Sequence, residues 1–142
     1  MILYPVSQGI WDVFAVCDKD GNSQVMDTLV GLQTGTKAEA SLGTKMRQLL
    51  EKWVPAQLNG PQTHNTNIAK KLTDHIFEFK KGAKRGPKIR VLWFYGHGKQ
   101  VICTYCFRKT DRIRKTDLDN AQDLRTRFFA DLATGKISIV GE

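Results

Sequence analysis

Arg108, Lys109, Arg112, Arg114 and Lys115 crowd into the stretch CFRKTDRIRKTD, residues 106–117, with Asp111 the one acid set among them. A second group, Lys80, Lys81, Lys84, Arg85, Lys88 and Arg90, lies upstream in FKKGAKRGPKIR. With Lys99 these make twelve basic residues against one acid over residues 80–116. The rest of the chain holds ten basic and thirteen acidic residues, so the net charge of +8 comes from one quarter of a slightly acidic scaffold. Side chains of these types bind phosphate: Arg presents a planar, permanently charged fork and Lys a mobile point charge. A concentrated positive field also draws in polyanions, and each neutralised phosphate releases counterions. Nucleic acid is therefore the leading ligand class, against a solvated loop cluster or a docking face for an acidic protein.

Other residues capable of chemistry are more scattered. Cys103 and Cys106 match C-x-x-C, but positions three apart on a regular strand point to opposite faces, and a zinc site needs two more ligands. Buried strand cysteines are the simpler reading. His64, His75 and His97 have no second-ligand spacing; His97, in GHG, reads as a turn residue that would offer an acid only if the turn lay beside the site. Tyr95 and Tyr105 suit either base stacking or packing, and strands this apolar favour packing. Trp11, Trp53 and Trp93 sit in apolar patterns and read as core. No metal or cofactor ligand set can be assembled, so none is expected.

These side chains need a scaffold. The 142 residues, 41% hydrophobic and 25% charged, suit one folded domain spanning 1–142. No apolar run approaches the roughly 20 residues that span a bilayer. The start, MILYPVSQGIW, lacks the features of a signal peptide, and the odd count of three cysteines does not suggest a secreted framework. The expected location is cytoplasmic, away from membranes. WDVFAVCD alternates as a strand. Val25, Met26, Leu29, Val30 and Leu32 recur at helical spacing after a cap at Asn22 or Ser23. Thr36 and Glu39 form a capping box, each satisfying a free amide of a second helix, whose face is Ala38, Leu42, Met46, Leu49, Leu50 and Trp53. HIFEFKK places Phe77 and Phe79 on one side, Glu78 and Lys80 on the other. KIRVLWFY and QVICTYCF are strands joined at GHGK, and a helix capped by Thr116 or Asp117 carries Leu118, Ala121, Leu124, Phe128 and Leu132. ISIV reads as a short final strand. The class is α+β: strand, two helices, three antiparallel strands, helix.

Three runs carry a resemblance: VFAVCDKDGNSQVMDTL, LTDHIFEFK, and IRVLWFYGHGKQVICTYCFRKTDRIRKTDLDNAQDLRTRF, together covering most of residues 13–129. Their order and spacing resemble the RelE/HigB superfamily of toxins from type II toxin–antitoxin pairs, especially its phage-derived-protein-like branch. The family's acidic–apolar strand, Arg-led apolar strand and Phe followed by basic residues correspond to Ile76–Lys80, Arg90–Leu92 and Phe107–Thr110. Lys80 replaces the more usual Arg, and Asp117 stands where many relatives have Pro. The resemblance implies a small RelE-like domain that binds mRNA on the ribosome and cuts it as a metal-independent endoribonuclease. It also implies a cognate helix-turn-helix antitoxin. On this reading Lys80, Arg90, Arg108 and Lys109 converge on one face as catalytic groups. Lys81, Lys84, Arg85, Lys88, Arg112, Arg114 and Lys115 hold the RNA. The alternatives are a ParE-like DNA gyrase inhibitor and a non-catalytic nucleic-acid-binding phage regulatory protein. The basic cluster disfavours the gyrase option, since a protein target needs no phosphate-lined face.

Overall fold

Strands buried on both faces read as continuous apolar runs rather than alternating ones, and KIRVLWFY is such a run. It forms β5 (Lys88–Tyr95), third of seven strands in one sheet ordered β3-β4-β5-β6-β2-β1-β7. The others are β1 (Ile2–Ser7), β2 (Asp12–Val16), β3 (Ala69–Lys71), β4 (Phe77–Gly82), β6 (Gln100–Arg108) and β7 (Ser138–Ile139). The computed structural model describes residues 1–61, 67–82, 85–86, 88–108 and 113–142. From β3 to β6 the strands run as an antiparallel meander, closed between β5 and β6 by the Gly-rich turn, where Gly98 takes the left-handed φ of 62°. β2 then joins β6 in parallel, from Asp12 opposite Gln100 to Ala15 opposite Cys103.

A parallel join requires a long crossover, which the helices supply. Helix α1 (Gln24–Gln33) and helix α2 (Lys37–Gln48), with a π-helical turn over Leu49–Trp53, cover one face of the sheet. Val25, Leu29, Met46 and Leu50 pack there against Val13, Ala15, Val91, Trp93 and Cys103, all fully buried. Phe77 and Phe79 stack on Trp93 with ring centroids 4.8 and 4.6 Å away. Helix α3 (Lys115–Ala133) covers the other face, where Ala121 and Phe128 meet Phe14, Leu92, Phe94, Ile102 and Phe107.

The α+β order expected from the sequence is present, with additions. β1 was not anticipated: it pairs with β2, and Pro5 fits because the short β7 pairs only with Ile2 and Leu3, leaving no ladder bond for Pro5 to miss. β3 is likewise additional. Ser23 caps α1, accepting from the Met26 amide at 3.2 Å. At α2 the Thr36 hydroxyl accepts from the Glu39 amide, but the Glu39 carboxylate turns to Thr36 Oγ1 and Arg108 instead of returning to an amide. Neither Thr116 nor Asp117 is the cap of α3; Asp117 sits inside the first turn and accepts from the Arg114 amide at 3.0 Å. Trp93 is core, whereas Trp11 and Trp53 are only partly buried and Val30 is half exposed.

Candidate nucleic-acid interface

The register between strands decides which cations share a face. Lys80 stands opposite Arg90, and Arg90 opposite Phe107, so the three form a row on the α3 side of the sheet. One step along, Lys70 of β3 stands opposite Glu78. Lys70, Leu72, Glu78, Lys80, Arg90 and Ile113 enclose a cleft of about 330 Å³. At its floor Arg90 Nη1 donates to both carboxylate oxygens of Glu78, each at 3.0 Å. Glu78 keeps 3% of its side-chain surface and Arg90 14%, so this ion pair is buried. Arg90 Nε is buried without a hydrogen-bond partner among the described residues, in a group next to the cleft. Lys70 and Lys80 have no ion pair among the described residues, so the cleft retains positive charge beyond the neutralised pair.

Arg108 does not join this row. It lies opposite Ile89, on the α2 side, and pairs with Glu39. The cause is a β-bulge: Leu92 faces Tyr105 while its neighbour Trp93 faces Cys103, leaving Thr104 as an extra residue in β6. The Thr104 hydroxyl donates to the Leu92 carbonyl at 3.0 Å. One inserted residue reverses the facing of everything after it. The expected convergence of Lys80, Arg90 and Arg108 on one face is therefore corrected to Lys80 and Arg90 alone. Lys81 also turns to the α2 side, opposite Ile89. Lys88 heads β5 opposite Gly82, Arg85 is exposed in the β4–β5 connection, and Arg114 and Lys115 are exposed at the start of α3. All four lie at the same end of the sheet as the cleft. Lys84, Lys109 and Arg112 lie outside the described residues.

The same bulge overturns the expected opposite facing of the cysteine pair, while both are buried strand cysteines as expected. Cys103 and Cys106 point to one face, both buried against α1 and α2 as free thiols. Burial, reinforced by Cys106, pushes the Cys103 thiol up, and burial raises Cys106 to about 12. Since the thiolate is the reactive form, neither is a nucleophile at neutral pH. Tyr105 follows the bulge onto the α3 side, 45% exposed and 5.8 Å from the Phe107 ring, rather than packed in the core. Tyr95 does pack, donating its hydroxyl to the Pro61 carbonyl. His97 is exposed at the turn beyond Tyr95, the opposite end of β5 from Arg90, about 15–20 Å away at strand spacing. It is not beside the cleft.

Three contributors were not read from the sequence. Lys70 sits in a strand of three residues, too short for a periodic signal. Glu78 was read as sharing a polar side with Lys80; it does share that side, but β3 and Arg90 bury it. Gln24 pairs its side-chain amide with the Cys106 backbone, accepting from the amide at 2.8 Å and donating to the carbonyl at 2.6 Å. It thereby takes the place of a strand residue where β2 leaves β6.

Among the described residues no helix is long and apolar enough to cross a membrane, and no three His, Cys, Asp or Glu gather as a metal site. No curated protein matches the chain. Residues 36–128 match the family model of the phage-derived Gp49-like proteins, a span from α2 through most of α3 that includes every strand lining the cleft. That span exceeds half of the chain, which thus belongs to the Gp49-like family of phage-derived proteins, a family related to RelE/HigB-type toxins.

Proposed function

We propose that this protein is the toxin of a toxin–antitoxin pair and cuts mRNA on the ribosome, with the α3-side cleft as its reaction site. The observation that carries the reading is the row of Lys80 and Arg90 on one face, with Lys70 beside it and the exposed Arg114 and Lys115 following Ile113 of the cleft wall. Family membership adds the toxin association and an antitoxin partner. In the proposed chemistry the 2′-hydroxyl oxygen of the RNA attacks the adjacent phosphorus. The bond from phosphorus to the 5′-oxygen breaks, leaving a cyclic phosphate and a 5′-hydroxyl. A base takes the 2′ proton, an acid supplies one to the leaving oxygen, and fixed cations stabilise the charge that grows on the phosphate. Lys80, without an ion-pair partner among the described residues, takes the proton-transfer role. Arg90, oriented by Glu78, serves as the fixed cation. Lys109 remains the second candidate for proton transfer. Arg85, Lys88, Arg114 and Lys115 act through charge along the RNA backbone.

Expression of the chain in a bacterium, with messenger 5′ ends mapped across the transcriptome, tests the reading. New ends within translated frames, together with growth arrest, are expected; purified protein should leave naked RNA largely intact. Growth arrest with intact messengers and altered DNA topology would favour the gyrase alternative. Nucleic-acid binding without either effect would leave only the non-catalytic reading.

A further inference from the structure

The α2 side of the sheet carries a second feature that the RNA reading does not use. Where α2 gives way to the π-turn, a groove of about 460 Å³ opens between that helix and the β3–β4 edge, lined by Leu49, Trp53, Ala56 and Ile68 with Gln48 and Gln57. Lys45, Lys52 and Lys81 rim it, and among the described residues no acid lines it. The π-turn shapes this site. Val54 bonds back to the Leu49 carbonyl, five residues away, and the slower winding carries Trp53 round from the core face that α-helical spacing assigns to it. Such turns are rare and concentrate at functional positions. Trp53 is left partly buried against the core, with its remaining surface in the groove.

We propose that this groove docks an acidic amphipathic helix of another protein. The apolar floor accepts a helix's apolar stripe, as helix-in-groove recognition requires. Charge complementarity fixes the sign of the flanks: the rim is three lysines. Spacing argues for a helix: Lys45 and Lys52 are seven residues apart along α2 and its extension, about 10 Å at helical rise. A second helix laid alongside presents carboxylates two turns apart at the same interval. Lys81 lies on the opposite wall, at the end of β4, and meets acids on the other flank. The groove is on the opposite face from the Lys80–Arg90 cleft, so the docking proposal stands apart from RNA cutting.

The probe is a synthetic peptide of about 14 residues, roughly four helical turns, with Leu at i, i+3, i+4 and i+7 spacing and Glu flanking the stripe. It is titrated into the full chain while the Trp53 indole N–H resonance is followed in nitrogen-labelled protein. A saturable shift at Trp53 is expected, with none from a scrambled peptide or one carrying Lys for Glu. Replacing Lys45→Glu and Lys52→Glu together should weaken binding about tenfold or more, and the Lys-flanked peptide should then bind instead. Lys136→Glu, remote from the groove, should leave the affinity unchanged. Lys45 and Lys52 are exposed, and matching melting curves show that the variant is folded. No shift at Trp53, a shift indifferent to the lysine substitutions, or a shift produced by a single-stranded RNA but not by the acidic peptide each overturns the proposal.

Discussion

Two arginines at one end of the sheet each meet a glutamate, on opposite faces and at different depths. Arg90 and Glu78 keep 14% and 3% of their side-chain surfaces, while Arg108 and Glu39 keep 47% and 25%. Counting charges treats the two pairs alike, but burial separates them. The inner pair has given up most of its water and depends on mutual attraction and hydrogen bonds, so losing either partner strands a charge. The outer pair stays hydrated, is screened by salt, and holds two long side chains in place for little net gain. Glu78 therefore fixes where Arg90 can present charge, whereas Glu39 merely accompanies Arg108.

The largest expected effect is on the inner pair. Glu78→Leu should destabilise the fold by about 3–5 kcal/mol, because Arg90 is left buried without its counter-charge. Urea unfolding measures this, and the double variant Glu78→Leu, Arg90→Leu should lie much closer to the parent. A single-variant cost below about 1 kcal/mol would place the two pairs in one class and end the comparison. Next comes the contrast of faces within β4, where neighbours point opposite ways. Lys80→Ala should slow mRNA cutting on programmed ribosomes by about 10²–10⁴, the scale for losing one positioned proton-transfer group. Lys81→Ala, facing α2, should cost less than about tenfold and act through binding alone. Equal losses in a rapid-quench assay would show that the faces are not functionally distinct. The smallest effect belongs to the outer pair: Arg108→Ala should change stability by no more than about 1 kcal/mol, with any loss fading in high salt.

Much of this was legible in the chain because the signals are local. Phe77–Glu78–Phe79–Lys80 alternates, so the facing of Lys80 followed from its neighbours, and Ile89–Arg90–Val91 did the same for Arg90. Ser23, the Gly98 turn and the apolar face of α3 were likewise written in short stretches. What stayed hidden depends on partners far away in sequence. β3 is a strand only because β4 offers it a ladder, and without β3 neither Lys70 nor the depth of Glu78 can be foreseen. Thr104 looks like any strand residue, yet its insertion decides the side taken by Arg108 and brings Cys103 and Cys106 to one face. Trp53 matched an α-helical stripe until the winding changed beneath it.

The parallel seam between β2 and β6 has a consequence in time. Asp12 finds its partner at Gln100, about 88 positions later, whereas β4, β5 and β6 follow one another closely in the chain. Local hairpins close in microseconds, but distant pairing waits for the intervening chain. At typical synthesis rates of about 5–20 residues per second, the ribosome needs roughly 4–18 s to make that interval. Throughout it, the hairpin of β1 and β2 is a two-stranded ribbon, marginal in water, with the edge meant for β6 open to other chains. Newly made copies are therefore most prone to aggregate before residues 100–108 emerge. An interrupted chain ending short of them has the N-terminal hairpin but lacks the strand on which it docks.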